Sequence, residues 1–345
     1  MKTIALTGIK QMEIIDVPMP EIRDDKDVLI KMKVVGVCGS DVHYYTKGKI
    51  GSQVVKYPFP VGHEGAGEVV AVGRAVTHVK PGDRIAVEPA MPCGDCDQCR
   101  AGRPHTCRKL RFLGCPDQAD GCLAEYIVMP EHSCFPLARN LSYTHGAISE
   151  PLAIGLYAVN QSIPMKGATI GILGFGPIGM SVLLSAKAKG AGKIYVTDLV
   201  DERLKIARES GAIWTGNPGK EDVVARVKGK EPLLLDVIFE CCGKQEATDQ
   251  AIAMLKPGGK LMQIGIPEFE RWSFSVDEMR HKEVCIQNVR RQNGTLDETL
   301  ELMANGSIDV SEMTTHRFPM ASTKEAFDLV TDYRDGVMKA MIDFE

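Results

Sequence analysis

The segment ATIGILGFGPIGMSVLLSA, residues 168–186, constrains the fold more than any other. It is uncharged and long enough to cross a bilayer. Four glycines and a proline near its middle argue instead for a strand, a tight turn and a helix that ends at Gly190. Gly174-Phe175-Gly176-Pro177-Ile178-Gly179 then reads as GxGxxG between that strand and helix. Asp198 closes the next apolar run, KIYVTD. Gly174 permits the turn, Gly176 lets backbone approach a pyrophosphate, and Gly179 allows close helix–strand packing. Pro177 and Ile178 open the helix, whose unpaired N–H groups and partial positive charge suit phosphate. Asp198 can accept hydrogen bonds from an adenosine ribose and repels a 2′-phosphate, which favours NAD over NADP. Arg203 is close enough in sequence to reach the same ribose.

The alternation continues. A helix over DERLKIARESG (201–211), a strand in LLLDVIFECCG (233–243), a helix to about Leu255, the turn Lys256-Pro257-Gly258-Gly259 and the strand KLMQIGI follow in order. Strands alternating with helices predict an α/β, Rossmann doubly wound parallel sheet. The first 150 residues differ. DVLIKMKVVGV, GEVVAVG, DRIAVEP and LAEYIVM are short β-rich runs separated by turn residues, as in an antiparallel, barrel-like domain. The character changes at Glu150-Pro151, where PLAIGLYAVNQS has helical spacing, and again near Arg290, where helix, short strand and helix precede KAMIDF.

The chain has eleven cysteines and a net charge of −4. That charge gives no basic field for nucleic acid or anionic lipid. The first residues, MKTIALTGIKQMEIID, lack a signal peptide's apolar run, so a cytoplasmic protein without disulfides is expected. Cys93, Cys96, Cys99 and Cys107 have the spacing C-x2-C-x2-C-x7-C. Four thiolates suit a closed tetrahedral zinc site. An iron–sulfur cluster fits less well, because its bacterial pattern continues C-x3-C-P. A nucleic-acid zinc ribbon is opposed by the acidic chain and by Asp95 and Asp97. Zinc with four thiolates carries −2, which Arg100, Arg103, Arg108 and Lys109 could offset. No position is left for substrate, so this site is structural. Cys115, Cys122, Cys134, Cys241, Cys242 and Cys285 are expected to be inert buried thiols.

A catalytic metal needs an open position. VCGSDVH offers Cys38, Ser40, Asp41 and His43; GHEGAG offers His63 and Glu64; SEPLA offers Glu150. Spacing alone does not assemble them. Taken together, GVCGSDVHYY, GHEGAGEVVAVG, PCGDCDQCRAGRPHTC, SEPLAIGLYAV and GFGPIG resemble, in order and nearly end to end, the zinc-dependent medium-chain dehydrogenases. GVCGSDVHYY, Glu64, EPL and VTDL resemble the polyol (sorbitol and xylitol dehydrogenase) branch.

The resemblance implies a GroES-like, β-rich catalytic domain at 1–151 and 289–345 around a Rossmann domain at 152–288. It implies NAD and two zincs per subunit: a catalytic ion at Cys38, His63 and Glu64, with Glu150 as exchangeable ligand or holder of water, and a structural ion on the four cysteines. Ser40 and His43 are then candidates for moving a proton. Tyr44, Glu150 and Arg290 would meet substrate, and Phe112 either lines that pocket or belongs to the core. Cys242, Gly265 and Arg290 would join the GxGxxG turn, Asp198 and Arg203 around the cofactor. Cys242 stands where the family has Thr, and Arg291 where the branch has an aromatic residue. The reaction implied is reversible oxidation of a polyol's secondary hydroxyl to a ketose by a homotetramer that binds neither nucleic acid nor membrane. Within the family, L-threonine, galactitol or a simple alcohol are the alternative substrates; outside it, a zinc-ribbon regulator.

Overall fold

The computed structural model describes residues 1–344, which form two compact units. The first contains Met1–Glu150, Leu296–Gly306 and the chain from Met313 onward; the second contains Pro151–Thr295 and Ser307–Glu312.

The first unit is built on the strand Asp27–Gly36, which pairs antiparallel with Glu64–Val72, Tyr126–Pro130 and Lys339–Asp343. Arg84–Val87 and Cys134–Pro136 extend the sheet on one side, and Thr314–Pro319 lies parallel to Lys339–Asp343 on the other. Val28, Ile30, Met32 and Val34 are buried while the residues between them are half-buried, the period of two expected of a strand covered on one face. The alternation stops at Val35, and the last residues of the strand are buried throughout. The chain then turns at Cys38 into the helix Gly39–Lys47, which no apolar periodicity announces. Leu6, Ile30, Val35, Ile85, Leu123, Met129, Phe327 and Ile342 close the core around the sheet.

In the second unit six parallel strands are ordered Trp214–Gly216, Lys193–Thr197, Thr169–Leu173, Leu235–Glu240, Leu255–Gln263 and Cys285–Asn288. With the strands numbered along the chain this is 3-2-1-4-5-6, the dinucleotide-binding order, with its crevice at the carboxyl end of the central strand. The apolar stretch that opened the sequence is split into Thr169–Leu173 and the helix Pro177–Ala188. Among the described residues no helix is long and apolar enough to cross a membrane.

Two local expectations change. Lys256-Pro257-Gly258-Gly259 does not separate a helix from a strand. It bulges within the strand Leu255–Gln263, where the register against Leu235–Val237 slips and Gly258 takes φ 73°. The helix expected from Pro151 begins at Tyr143 and carries Pro151 in its interior. Proline lacks the N–H for one rung of the helix, yet the flanking residues are buried and hold the helix by packing.

Candidate metal centres and dinucleotide site

Cys38, His63 and Glu64 offer ligand atoms that all lie within 4.8 Å of one another. Cys38 caps the helix Gly39–Lys47, and Ser40 Oγ donates to its Sγ at 3.3 Å. His63 and Glu64 stand at the start of the strand Glu64–Val72, and Gly36 faces Glu64 across the ladder. A Cβ at Gly36 would lie 2.3 Å from Glu64 Oε2, so only glycine leaves room for that carboxylate. Asp41, fully buried, accepts from the Gly62 N–H at 3.3 Å and sits 3.2 Å from His63 Nδ1. With Nδ1 held, Nε2 is the nitrogen left for a metal; such a carboxylate fixes the ring and raises its basicity. Burial pulls the His63 pKa down, but the Asp41 and Cys38 charges raise it well above the ordinary value. A soft thiolate, an imidazole and a carboxylate, with no fourth donor in the cluster, fit zinc with an open position.

Two buried charges border this cluster. Lys339 Nζ donates to both Glu64 oxygens at 2.6 Å and to the Val37 carbonyl at 3.3 Å. Burial lowers the Lys339 pKa, but the Glu64 carboxylate outweighs it and holds the amine above its usual range. Glu150 lies outside the three-donor group. Burial raises its pKa from 4.5 to about 8; His63 acts against this, and the Glu64 and Glu88 charges reinforce it.

Tyr44 and His43 follow on the same helix, Tyr44 buried and His43 half-buried. Tyr44 Oη donates to Gln53 Oε1 at 3.0 Å, and Gln53 Nε2 lies 2.8 Å from Cys115 Sγ. The inert reading of Cys115 therefore misses a polar contact: the thiol is buried but hydrogen-bonded. Phe112 is buried with its ring 5.4 Å from the His63 ring, so it packs directly on a candidate ligand.

The second cluster is Cys93, Cys96, Cys99 and Cys107. Their Sγ atoms are separated by 3.6 Å (Cys96–Cys99), 3.8 Å (Cys96–Cys107) and 3.4 Å (Cys93–Cys107). Zinc–sulfur bonds of about 2.3 Å in a tetrahedron put sulfurs about 3.8 Å apart, so the donor set fits this ion. The N–H groups of Cys93 and Lys109 point at Cys107 Sγ, each at 3.3 Å. Backbone N–H groups of Cys99 and Arg108 bring the Cys96 thiol down to about 6. Arg108 and Lys109 do not turn to the sulfurs; they engage Asp97 at 2.5 Å and Asp95 at 3.4 Å, leaving much of the offset to backbone N–H groups. All eleven cysteines are unbridged. Cys242 and Cys285 are exposed and Cys241 half-buried, contrary to the expectation that all three are buried.

In the second unit Gly174 takes φ 90°, and a Cβ there would lie 2.7 Å from Cys242 Cβ. A Cβ on Gly179 would sit 2.1 Å from the Gly174 carbonyl oxygen. Gly176 caps the helix Pro177–Ala188 with no side chain on the first N–H groups, and the nearest atom to a Cβ there would be Arg203 Nη1 at 3.5 Å. Arg203 is buried. Asp198 accepts from the N–H groups of Phe175 (2.5 Å) and Val200 (2.8 Å), which hold its carboxylate beside the turn. Open backbone donors, a cation and an acid at one crevice fit a dinucleotide. Glu240 went unnoticed in the sequence. It is fully buried, and Oε1 accepts from the N–H groups of Cys242 (2.8 Å) and Gly243 (2.6 Å), shaping the loop opposite Gly174. Gly265 packs on the same group: a Cβ would lie 2.7 Å from Glu240 Oε2. Arg290 is exposed just after the strand Cys285–Asn288, and Arg291 adopts φ 54°.

Comparison with known proteins gives the same architecture. Residues 24–139 match the alcohol dehydrogenase GroES-like domain, and residues 177–305 match the zinc-binding dehydrogenase domain. The chain is 36% identical to sorbitol dehydrogenase of Bacillus subtilis over 99% of its own length and 97% of that protein's. It superposes on an Escherichia coli oxidoreductase of unknown specificity with a TM-score of 0.94 at 32% identity, covering 100% and 99% of the two chains. For 2R,3R-butanediol dehydrogenase of Bacillus subtilis the TM-score is 0.90 at 30% identity, covering 100% and 99%. The chain belongs to the zinc-dependent medium-chain dehydrogenases, oxidoreductases that use zinc and a nicotinamide nucleotide.

Proposed function

We propose that this enzyme oxidises a secondary hydroxyl of a polyol of the sorbitol or xylitol type to the ketose, reversibly, with NAD. The observation that carries the reading is the incomplete donor set of half-buried Cys38 and buried His63 and Glu64. When bound, zinc there supplies a Lewis acid that polarises the hydroxyl, and NAD accepts the hydride. Asp41 fixes the His63 ring for that task. Ser40 Oγ, hydrogen-bonded at Cys38, and His43 on the same helix are the groups that would carry the proton away. Glu150, whose burial favours its protonated form in the metal-free protein, is the further group that would hold a proton. The Tyr44–Gln53 pair offers polar groups to a polyhydroxylated chain, with Glu150 and Arg290 as further contacts. Support for a polyol also comes from the Bacillus subtilis and mouse relatives, both named sorbitol dehydrogenase.

Asp198 supports NAD over NADP, with Arg203, Gly174, Gly176, Pro177, Ile178, Gly179, Cys242 and Gly265 around the cofactor. The four-cysteine site holds a second, structural zinc. We further assign the catalytic domain to 1–151 and 289–345 and the cofactor domain to 152–288, and place the enzyme as a cytoplasmic homotetramer. The similarity to 2R,3R-butanediol dehydrogenase of Bacillus subtilis supports a shorter diol as the second reading, and Arg291, at the position of an aromatic residue in the polyol branch, bears on that choice. A panel of sorbitol, xylitol, galactitol, 2,3-butanediol, threonine and ethanol, each with NAD and NADP, separates these. Fastest NAD reduction with a polyol, abolished by His63→Ala, is expected. Turnover confined to butanediol or threonine would replace the polyol reading.

A further inference from the structure

Three loops of the second unit meet at one buried acid. Glu240 ends the strand Leu235–Glu240 and is fully buried. Its Oε1 accepts from the Cys242 N–H at 2.8 Å, the Gly243 N–H at 2.6 Å and the Cys242 thiol at 3.0 Å. Its backbone carbonyl accepts from the N–H groups of Ile264 at 2.9 Å and Gly265 at 3.0 Å. The backbone around it leaves no slack. A Cβ on Gly265 would lie 2.1 Å from the Gly243 nitrogen, and one on Gly243 would lie 2.4 Å from the Ile266 carbonyl oxygen. Gly174, which opens the GxGxxG turn, meets Cys242 in the same way. Among the described residues Glu240 Oε2 has no hydrogen-bond partner. Burying a carboxylate with one oxygen bare costs stability, so stability alone does not account for an acid here.

We propose that Glu240 is a positioning residue for the nicotinamide nucleotide: its carboxylate clamps the Cys241–Gly243 loop as one wall of the cofactor crevice and turns the Cys242 thiol onto the acid. The proposal rests on the dinucleotide-site reading above and names the group that sets this wall. Without the acid, two backbone N–H groups and a thiol lose their acceptor, and the loop can move off Gly174. The same contact leaves a chemical mark on Cys242. Desolvation of its sulfur raises the thiol pKa, and the Glu240 charge raises it further, which holds the thiol in its less reactive form.

The test uses the full-length, zinc-loaded enzyme titrated with NADH and with NADPH, each read by its fluorescence. If the wild type binds neither, the dinucleotide-site reading fails and the proposal falls with it. If it binds one, Glu240→Met, which keeps the bulk but offers no acceptor, should weaken that nucleotide's Kd at least about tenfold. Glu240→Gln, which keeps the acceptor, should bind it within about threefold of the wild type. A smaller loss in Glu240→Met, or as large a loss in Glu240→Gln, would overturn the proposal. A second readout needs no bound nucleotide. Alkylation of Cys242 by iodoacetamide, followed by peptide mass spectrometry, should run at least about fivefold faster in Glu240→Gln than in the wild type, because the charge facing the thiol is gone. Saturating nucleotide should slow the wild-type reaction by at least about the same factor. A smaller change in either rate would overturn the proposal. If Glu240→Met does not fold, these two alkylation rates decide.

Discussion

The two donor clusters gather their ligands in opposite ways. Cys93, Cys96, Cys99 and Cys107 come from one short loop, at the surface or half-buried except for Cys107, with backbone N–H groups aimed at their sulfurs. Cys38 comes from the start of the helix Gly39–Lys47, and His63 and Glu64 come from the start of the strand Glu64–Val72; buried Asp41 and Lys339 hold His63 and Glu64 in place. The loop needs little from the rest of the fold and has no donor position left over. The second cluster depends on a whole sheet and keeps a position open. On the proposed roles, the site that holds the chain together is local, whereas the one that would react depends on neighbours that set its charge.

Removing ligands should separate the two roles. Cys38→Ser is expected to lower alcohol-dependent NAD reduction by roughly a thousandfold or more and remove one metal of two, with little change in thermal stability. Retained activity with both metals bound would erase the distinction. Asp41→Asn keeps the volume but loses the charge that orients His63; metal affinity at that site should fall about 10- to 100-fold, measured by chelator competition, while the four-cysteine ion is untouched. Cys96→Ser should release the other ion and lower the unfolding temperature by several degrees, with activity per folded molecule kept within about tenfold. Equal losses of activity in the Cys38 and Cys96 variants would mean that the loop also shapes the reacting centre.

The smallest effect concerns Glu150. Its folded pKa, about 8, lies above the ordinary 4.5, so the folded state binds its proton more tightly than the unfolded chain does. That contribution to stability is complete below pH 4.5 and is lost as pH rises towards 8. Metal-free Glu150→Gln should therefore lose less stability than the metal-free wild type between these limits, as followed by denaturant melts. Identical pH dependence would show that Glu150 is not the buried group that titrates.

What the sequence revealed was local. GxGxxG and the four cysteines carry their geometry in their own spacing, and both form where the spacing indicates. Cys38, His63 and Glu64 were identified through a resemblance, since no spacing brings residue 38 to residue 63. Lys339 gave no signal, because its partner is 275 residues away and a lysine in a terminal strand looks like solvent-facing charge. Gln53 and Glu240 were silent for the same reason: each is informative only through the atoms it touches. The helix across Pro151 and the bulge at Gly258 escaped because tertiary packing overrode two strong breakers.

The placement of Lys339 on the last strand has a consequence for biosynthesis. The four cysteines emerge within 15 consecutive residues, 93 to 107, so that donor set is complete while much of the polypeptide is still being made. The Cys38 centre lacks the Lys339 amine until the strand Lys339–Asp343 has been made and has paired with Asp27–Gly36. The two donor sets are therefore completed at different times: one within a short stretch of nascent chain, the other only after a strand 275 residues beyond Glu64 has folded onto the sheet.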